Sequence, residues 1–212
     1  MLQISKMLSL TPFGPSAWLV LHPDHSKLKA LGRALEQEAP ADFVDYTLGY
    51  ESLLILFRVP VPEAVVRVYL DSLTLDASED TASTHHHIPV SYDGPDLEDT
   101  AKALKLTCEE LIQLHSSALY QVRFLGFSPG FPYLDGLPER IHLPRRSSPR
   151  PRMNPGAVAI GGGHASIYSI ASPGGWHWLG NTNFPVFDPQ KNDESAFALK
   201  SGDTLTFIPQ ND

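Results

Sequence analysis

Residues 124–134 read FLGFSPGFPYL and place two prolines, two glycines and four aromatic residues where a buried strand ends. Each proline fixes φ and removes a backbone donor, and each glycine permits conformations that other residues avoid. The aromatic side chains therefore have little freedom in where they point. Two interpretations stand: a rigid binding loop at the mouth of a β-fold, or a strand exit whose rings pack inward because aromatic side chains bury a large area.

Four further motifs rich in glycine, proline and aromatic residues follow this loop. They are LPRR at 143–146, GAVAIGGG at 156–163, IY at 167–168 and SPGGWHWLGNT at 172–182. Taken in this order, the motifs resemble the family of the 5-oxoprolinase B subunit and the sporulation kinase A inhibitor. That family is related to allophanate hydrolase subunit 1 and to the first part of the carboxyltransferase domain of urea carboxylase. The resemblance is dense over residues 88–188, and a weaker match at 45–57 extends it over most of the chain.

The resemblance implies the B subunit of an ATP-dependent 5-oxoprolinase, which opens 5-oxoproline to L-glutamate together with subunits A and C. Two other functions stay open: a non-catalytic regulator that binds a sensor histidine kinase, and a subunit of the allophanate hydrolase or urea carboxyltransferase type. The sequence has no Walker lysine, no evident magnesium pair and no nucleophile–base dyad. We therefore expect an incomplete site, inactive without its partners, with any ATP bound at a shared subunit interface. The catalytic residues are left unassigned.

The net charge, the number of cysteines and the N-terminal residues exclude several classes of protein. The formal net charge of −8 over 212 residues argues against a nucleic-acid-binding protein, which needs a basic footprint. The single cysteine, Cys108, allows no intrachain disulfide and favours a reducing compartment. Near the N-terminus, Pro12, Gly14 and Pro15 interrupt the apolar residues, which argues against a signal peptide or a membrane span. We expect a cytoplasmic protein that binds neither nucleic acid nor membrane.

The hydrophobic pattern predicts two domains. As far as residue 75, the spacing of the apolar residues predicts strands and helices in the order β-α-β-β-α. This order predicts an α+β sandwich that is ferredoxin-like in outline. Residues 76–83 have nothing to bury and are predicted to be a linker. The predicted domains are therefore residues 1–83 and 84–212. The strand predicted at His85 to Val90 either completes the first sheet or begins the second domain.

The second domain is predicted to be mainly β. Two helices are expected, one behind Asp96 and one behind Thr107, where Glu110 three residues later completes a capping box. From Tyr120 onward, short strands separated by turns rich in proline and glycine predict a closed or nearly closed barrel. The resemblance implies that this barrel is cyclophilin-like.

We predict a pocket for a substrate or partner between the loop at 127–133 and the turn at 161–164. Arg145 lies in the shared Pro-Arg motif, and its guanidinium is suited to gripping a carboxylate or phosphate. The candidate residues are His115, Phe127, Pro129, Gly130, Phe131, Tyr133, Arg145, Gly161, Gly162, His164, Trp176 and Thr182.

Several of these residues also have structural interpretations. His115 lies on the apolar face of its predicted helix, so it is either a core histidine or a functional one. Trp176 is better placed as a packing anchor than as a ligand contact, and the glycines at 161–163 favour a tight turn over a phosphate cradle, since no Lys-Ser or Lys-Thr follows. In a strand only two residues of the triplet 85–87 share a face, so we expect no metal site there.

The chain departs from the family pattern inside the predicted pocket. Residues 161–169 read GGGHASIYS where relatives usually read Gly-Gly-x-Gln-Thr-Gly-Ile-Tyr-Pro, so an amide and a hydroxyl give way to His164 and an alanine. Asn181 stands where an Arg or His often precedes the threonine, and residues 153–156 replace a more common Val-Pro-Ala-Gly. These departures leave open a divergent paralogue with an altered substrate or no activity.

Overall fold

The computed structural model describes residues 8–75 and 83–210. The chain divides into two compact units, Met1–Glu79 and Asp80–Asp212. All of the predicted linker except Ser83 lies outside the described residues.

The first unit is a four-stranded antiparallel sheet with two helices. It contains one strand more than predicted along the chain, because the segment at residues 9–12 is only four residues long and has a single apolar side chain besides its proline. The elements are β1 (Ser9–Pro12), β2 (Ala17–Leu21), α1 (His25–Gln37), β3 (Phe43–Leu48), β4 (Ser52–Phe57) and α2 (Glu63–Ser72).

The strands of this sheet lie in the order β1-β2-β4-β3. Since β2 and β3 both run antiparallel to β4, they are parallel to each other and α1 makes the crossover between them. Leu28, Leu31 and Leu35 of α1 recur at helical spacing and are buried on one face. Asp24 caps this helix by accepting a hydrogen bond from the Ser26 amide.

The second unit contains the predicted mixture of two helices and many short strands. Its helices are α3 (Leu97–Leu104) and α4 (Cys108–Ser116). Its strands are β5 (His85–Val90), β6 (Tyr120–Leu125), β7 (Pro132–Asp135), β8 (Arg150–Met153), β9 (Ala157–Gly161), β10 (His164–Ile167), β11 (Ser172–Gly174), β12 (His177–Asn181) and β13 (Thr204–Pro209).

Seven of these strands form one mixed sheet in the order β12-β9-β10-β7-β6-β13-β5, and β11 pairs with β8. Only β5 and β13 run parallel among the described pairs. The strand at His85 to Val90 therefore belongs to the second unit. Just beyond β5, Ser91 exchanges both backbone hydrogen bonds with Asn181 of β12, which brings the two ends of the sheet together. The sheet is thus a nearly closed barrel.

Both helices of the second unit begin directly after the residues predicted to precede them, Asp96 and Thr107. At α4 the Glu110 amide donates to the Thr107 hydroxyl at 3.1 Å, and the Thr107 amide donates to the Glu110 carboxylate at 2.7 Å, so the capping box is confirmed. At α3, Asp96 occupies the cap position but its side chain makes no capping hydrogen bond. The assignment of the two units to the ferredoxin-like and cyclophilin-like classes stays a prediction.

Candidate functional site

The loop between β6 and β7 is fixed by its own backbone. The Gly126 amide donates to the Phe131 carbonyl, and the Phe131 amide donates to the Ser128 carbonyl, both at 3.1 Å. Phe127 has φ 67° and Gly130 has φ 73°, in the left-handed region that favours glycine. A β-carbon at position 130 would also come too close to the side chain of Phe187. Glycine therefore suits this position because of both its positive φ and the lack of space for a side chain. The loop is therefore rigid, and Phe127 is held in a strained backbone conformation.

The rings of this loop divide between core and surface. Phe131 is 2% exposed and packs edge-to-face against Tyr133, Tyr168 and Trp176, with centroids 5.1 to 5.7 Å apart. Phe127 is 63% exposed and meets Phe131 edge-on at 5.2 Å. Phe131 thus packs inward, whereas Phe127 stands at the mouth of a cavity. A binding role for the loop stays a prediction.

That cavity has a volume of about 280 Å³. This size suits a small molecule. Burial raises the pKa of Tyr168 to about 12, so its hydroxyl is protonated and able to donate at neutral pH. The aromatic residues that line the cavity are Phe127, Phe131, Tyr133, Tyr168 and Trp176, and the other lining residues are Arg145, Arg146, Pro149, Pro173, Gly174 and Gly175.

The two arginines of the cavity differ in their partners. The Arg145 guanidinium is exposed and lies 5.7 Å from the centre of the Trp176 ring. Among the described residues it has no acidic partner. Arg146 donates from Nη1 to Asp96 Oδ1 at 2.6 Å. Arg145 therefore lines the cavity with a guanidinium that has no acidic partner among the described residues, and its binding of an anionic ligand stays a prediction.

Two predicted glycines and Trp176 lie together beside the cavity. A β-carbon on Gly161 would come within 2.8 Å of the Trp176 indole, so this glycine makes room for the ring. The Gly162 amide donates to the Leu143 carbonyl at 2.8 Å, and its φ is 64°. The turn is thus a tight strand connection whose central amide is already bonded. Trp176 is 5% exposed, and it is both a packing anchor and part of the cavity wall.

Other predicted site residues do not line this cavity. Pro129 and Gly130 lie in the loop itself and shape its backbone. His164 Nδ1 lies 3.3 Å from Asp135 Oδ1. Thr182 lines a separate cleft, and its hydroxyl accepts a hydrogen bond from the Phe184 amide.

His115 lies in the core of the second unit rather than in the cavity. It is fully buried, and its Nδ1 is 2.7 Å from the Tyr92 hydroxyl. Burial lowers the pKa of His115 to about 3, so the imidazole is neutral at physiological pH. Of its two interpretations, the structure supports the core histidine.

Sequence reasoning missed Asp96, which pairs with Arg146 of the cavity wall. Its position before an apolar helical repeat suggested only a helix cap, and its actual partners, Arg146, Arg150 and Trp178, are 50 to 82 residues away. Tyr168 was also missed, although its place in a shared motif was a usable signal.

The histidine triplet has the geometry predicted for a strand. His85 and His87 share a face, with ring centroids 4.7 Å apart, and bind Thr204 and Thr206. His86 points to the other face, 3.2 Å from Asp203. Within 8–75 and 83–210, no three His, Cys, Asp or Glu side chains are grouped to hold a metal ion. No helix in these ranges has the length and apolar character to span a membrane.

Comparison with known proteins places the chain among carboxyltransferase-domain proteins. The family described as carboxyltransferase domain, subdomain C and D, matches residues 8–197. The chain is 38% identical to the 5-oxoprolinase B subunit of Haemophilus influenzae over 95% of this chain and 97% of that protein. It is 41% identical to the 5-oxoprolinase B subunit of Escherichia coli O157:H7 over 77% of each chain.

Solved structures share the fold. The crystal structure of TTHA0988 superposes with a TM-score of 0.80 at 32% identity, covering 92% of this chain and 40% of that one. This chain therefore spans less than half the length of TTHA0988. Urea carboxylase of Kluyveromyces lactis superposes with a TM-score of 0.74 at 18% identity, over 96% of this chain and 22% of that protein. The latter likeness concerns the fold alone.

Proposed function

We propose that this chain, which belongs to the family of the 5-oxoprolinase B subunit and the carboxyltransferase domain, is the B subunit of an ATP-dependent 5-oxoprolinase. The observation that carries the proposal is the aromatic cavity with one guanidinium, that of Arg145, free of acidic partners among the described residues. 5-Oxoproline is a small five-membered lactam with one carboxylate. The rings suit the faces of the lactam, and Arg145 suits the carboxylate.

The reaction explains why partners are needed. Amide resonance stabilises the lactam, and phosphoryl transfer from ATP to its oxygen makes attack by water and cleavage of the C–N bond favourable. The Gly162 amide is already bonded to Leu143, so the glycine turn has little to offer to phosphates. We therefore place ATP at an interface shared with subunits A and C. The role of this chain is to bind and orient the lactam.

The open cavity is consistent with an assembly of different subunits. Phe127 exposes 63% of its surface at the cavity mouth, which a partner protein would cover. As part of this proposal, the first unit is ferredoxin-like and the second is a cyclophilin-like barrel. A cytoplasmic location follows from the single cysteine and from the proposed partners.

Reconstitution tests the proposal. We expect the purified chain alone to hydrolyse neither ATP nor 5-oxoproline, and the mixture with cognate subunits A and C to form glutamate and ADP in equal amounts. Each two-component mixture serves as a control. Turnover by the lone chain would contradict a shared site. An inactive complete mixture, together with binding to a sensor histidine kinase, would favour the regulator, and activity on allophanate or urea would favour the carboxyltransferase type.

A further inference from the structure

The carboxylate of Asp96 is the centre of a buried ion-pair cluster beside the proposed site. Its side chain is 2% exposed. It accepts hydrogen bonds from Arg146 Nη1 at 2.6 Å, from Arg150 Nε at 3.2 Å and from the Trp178 amide at 2.9 Å, and Arg150 Nη2 also binds it. Charge-assisted bonds of this kind are about twice as strong as neutral ones.

The cluster is ionised at neutral pH. Burial by itself favours the protonated acid, but hydrogen bonds from Arg150 and the Trp178 amide and the charges of Arg150 and Arg146 outweigh it, so the pKa of Asp96 lies below its ordinary value. One carboxylate thus balances one of two guanidinium charges.

The geometry ties three elements together around the cavity. The Asp96 amide donates to the Trp178 carbonyl at 3.1 Å, which joins the start of α3 to β12 through backbone as well as side chain. Arg150 begins β8, and Arg146 is four residues before it, so Asp96 holds both ends of the segment 146–150. This segment contributes Arg146 and Pro149 to the cavity wall.

Arg145 immediately precedes that segment. Its neighbours on either side are fixed, because the Pro144 carbonyl lies 2.8 Å from His177 Nε2 and the Arg146 amide donates to the Gly175 carbonyl at 2.8 Å. The Arg146 side chain is bonded to Asp96. The exposed guanidinium of Arg145 lies 5.7 Å from the centre of the Trp176 ring, at the cavity.

We propose that Asp96 is a positioning residue for the anion-binding group: by closing Arg146 and Arg150 into one cluster, it holds Arg145 over Trp176 and keeps the Arg145 guanidinium available to a ligand. Asp96 does not line the cavity, so it acts through the arginines and not on the ligand. The identity of the ligand, 5-oxoproline, rests on the proposed function, whereas the position of Arg145 does not.

The test is a ¹⁵N–¹H spectrum of the arginine Nε–H groups of the full chain, followed by titration with 5-oxoproline. The Arg145 signal is assigned by its loss in Arg145→Lys. In Asp96→Asn we expect this signal to lose its ring-current displacement from Trp176 and the Kd for 5-oxoproline to rise about 10-fold. Asp99→Asn, which removes an exposed carboxylate from the same helix, is the matched control and should change neither.

Arg150→Gln provides a second route if Asp96→Asn does not fold, because Arg150 is 29% exposed and does not line the cavity. It should displace the Arg145 signal in the same direction. An unchanged Arg145 signal in a folded Asp96→Asn or Arg150→Gln protein would overturn the inference. If the wild-type chain shows no binding of 5-oxoproline, the proposed ligand is wrong, and the Arg145 signal still decides the role of Asp96.

Discussion

The imidazole of His115 lies flat against the ring of Phe207, with centroids 4.7 Å apart and 19° between the planes. The Tyr120 hydroxyl donates to the His115 carbonyl at 2.8 Å, and the Tyr92 hydroxyl lies beside Nδ1. Among described residues, His115 Nε2 has no hydrogen-bond partner. The side chain is thus a packing element that ties α4 to β13, and protonation would place an unpaired charge in the core.

Acid should therefore destabilise the second unit through His115. The unfolded histidine titrates near pH 6.5, whereas burial lowers the pKa of His115 in the folded chain to about 3. Because the pKa of His115 is lower in the folded chain, the neutral imidazole contributes its full stabilisation above about pH 6.5. This contribution is lost as the pH falls toward 3. We expect the free energy of unfolding to drop by an amount on the order of a few kcal/mol across this window.

Denaturant titrations at several pH values between 7.5 and 4.5 measure this effect. His115→Gln should be less stable at pH 7.5 but should show a shallower dependence on pH. His87→Gln removes an exposed histidine and is the control, with the wild-type slope expected. Equal slopes for His115→Gln and the wild type would refute the assignment.

Truncation of Phe127 should change the stability far less than truncation of Phe131. Phe127→Gly removes a mostly exposed ring, and glycine readily adopts the φ of 67° found at this position. Relief of backbone strain should offset the larger conformational entropy that glycine loses on folding, so the stability should change by less than about 1 kcal/mol. Phe131→Ala empties a buried position and should cost ~3–5 kcal/mol. Thermal melts and 5-oxoproline titrations of both variants separate the roles. A large loss of stability in Phe127→Gly with unaltered affinity would make Phe127 a core residue.

Local signals in the sequence predicted both helices of each unit and many of the strands, but they did not predict β1 or the long-range contacts around the cavity. The capping box of α4 and the leucine spacing of α1 involve residues three or four apart, so both can be recognised from the sequence alone. The strand β1 is only four residues long and pairs at the sheet edge, and such strands have little pattern of their own. Asp96 looked like a helix cap because its partners lie far along the chain, and only the folded barrel brings Arg146 and Arg150 to it.

The glycines at 156 and 162 offer a matched test of backbone packing. Both have positive φ, 83° and 64°, so alanine strains each of them. A β-carbon on Gly156 would also collide with the carbonyl oxygen of Thr182, whereas one on Gly162 meets nothing within 4 Å. Gly156→Ala should therefore destabilise the chain by at least ~2 kcal/mol, and Gly162→Ala by about 1 kcal/mol.

Chemical denaturation of the two variants side by side measures the difference. It also bears on Thr182, whose amide donates to the Gly156 carbonyl at 2.9 Å. A ligand-binding role for Thr182 stays a prediction. Equal destabilisation of the two alanine variants would show that the strand next to Gly156 can move aside.

The sharpest test of the cavity is removal of the Arg145 charge. Arg145→Ala deletes an exposed guanidinium with no acidic partner among the described residues, so the melting temperature should hardly change. Loss of a charge-assisted hydrogen bond to a carboxylate is worth about 1.5–3 kcal/mol, so the Kd for 5-oxoproline should rise roughly 10- to 100-fold by calorimetric titration. Arg152→Ala, which removes another exposed arginine nearby, should leave the affinity as it is. Equal affinities for the wild type and Arg145→Ala would move the anion site away from this cavity.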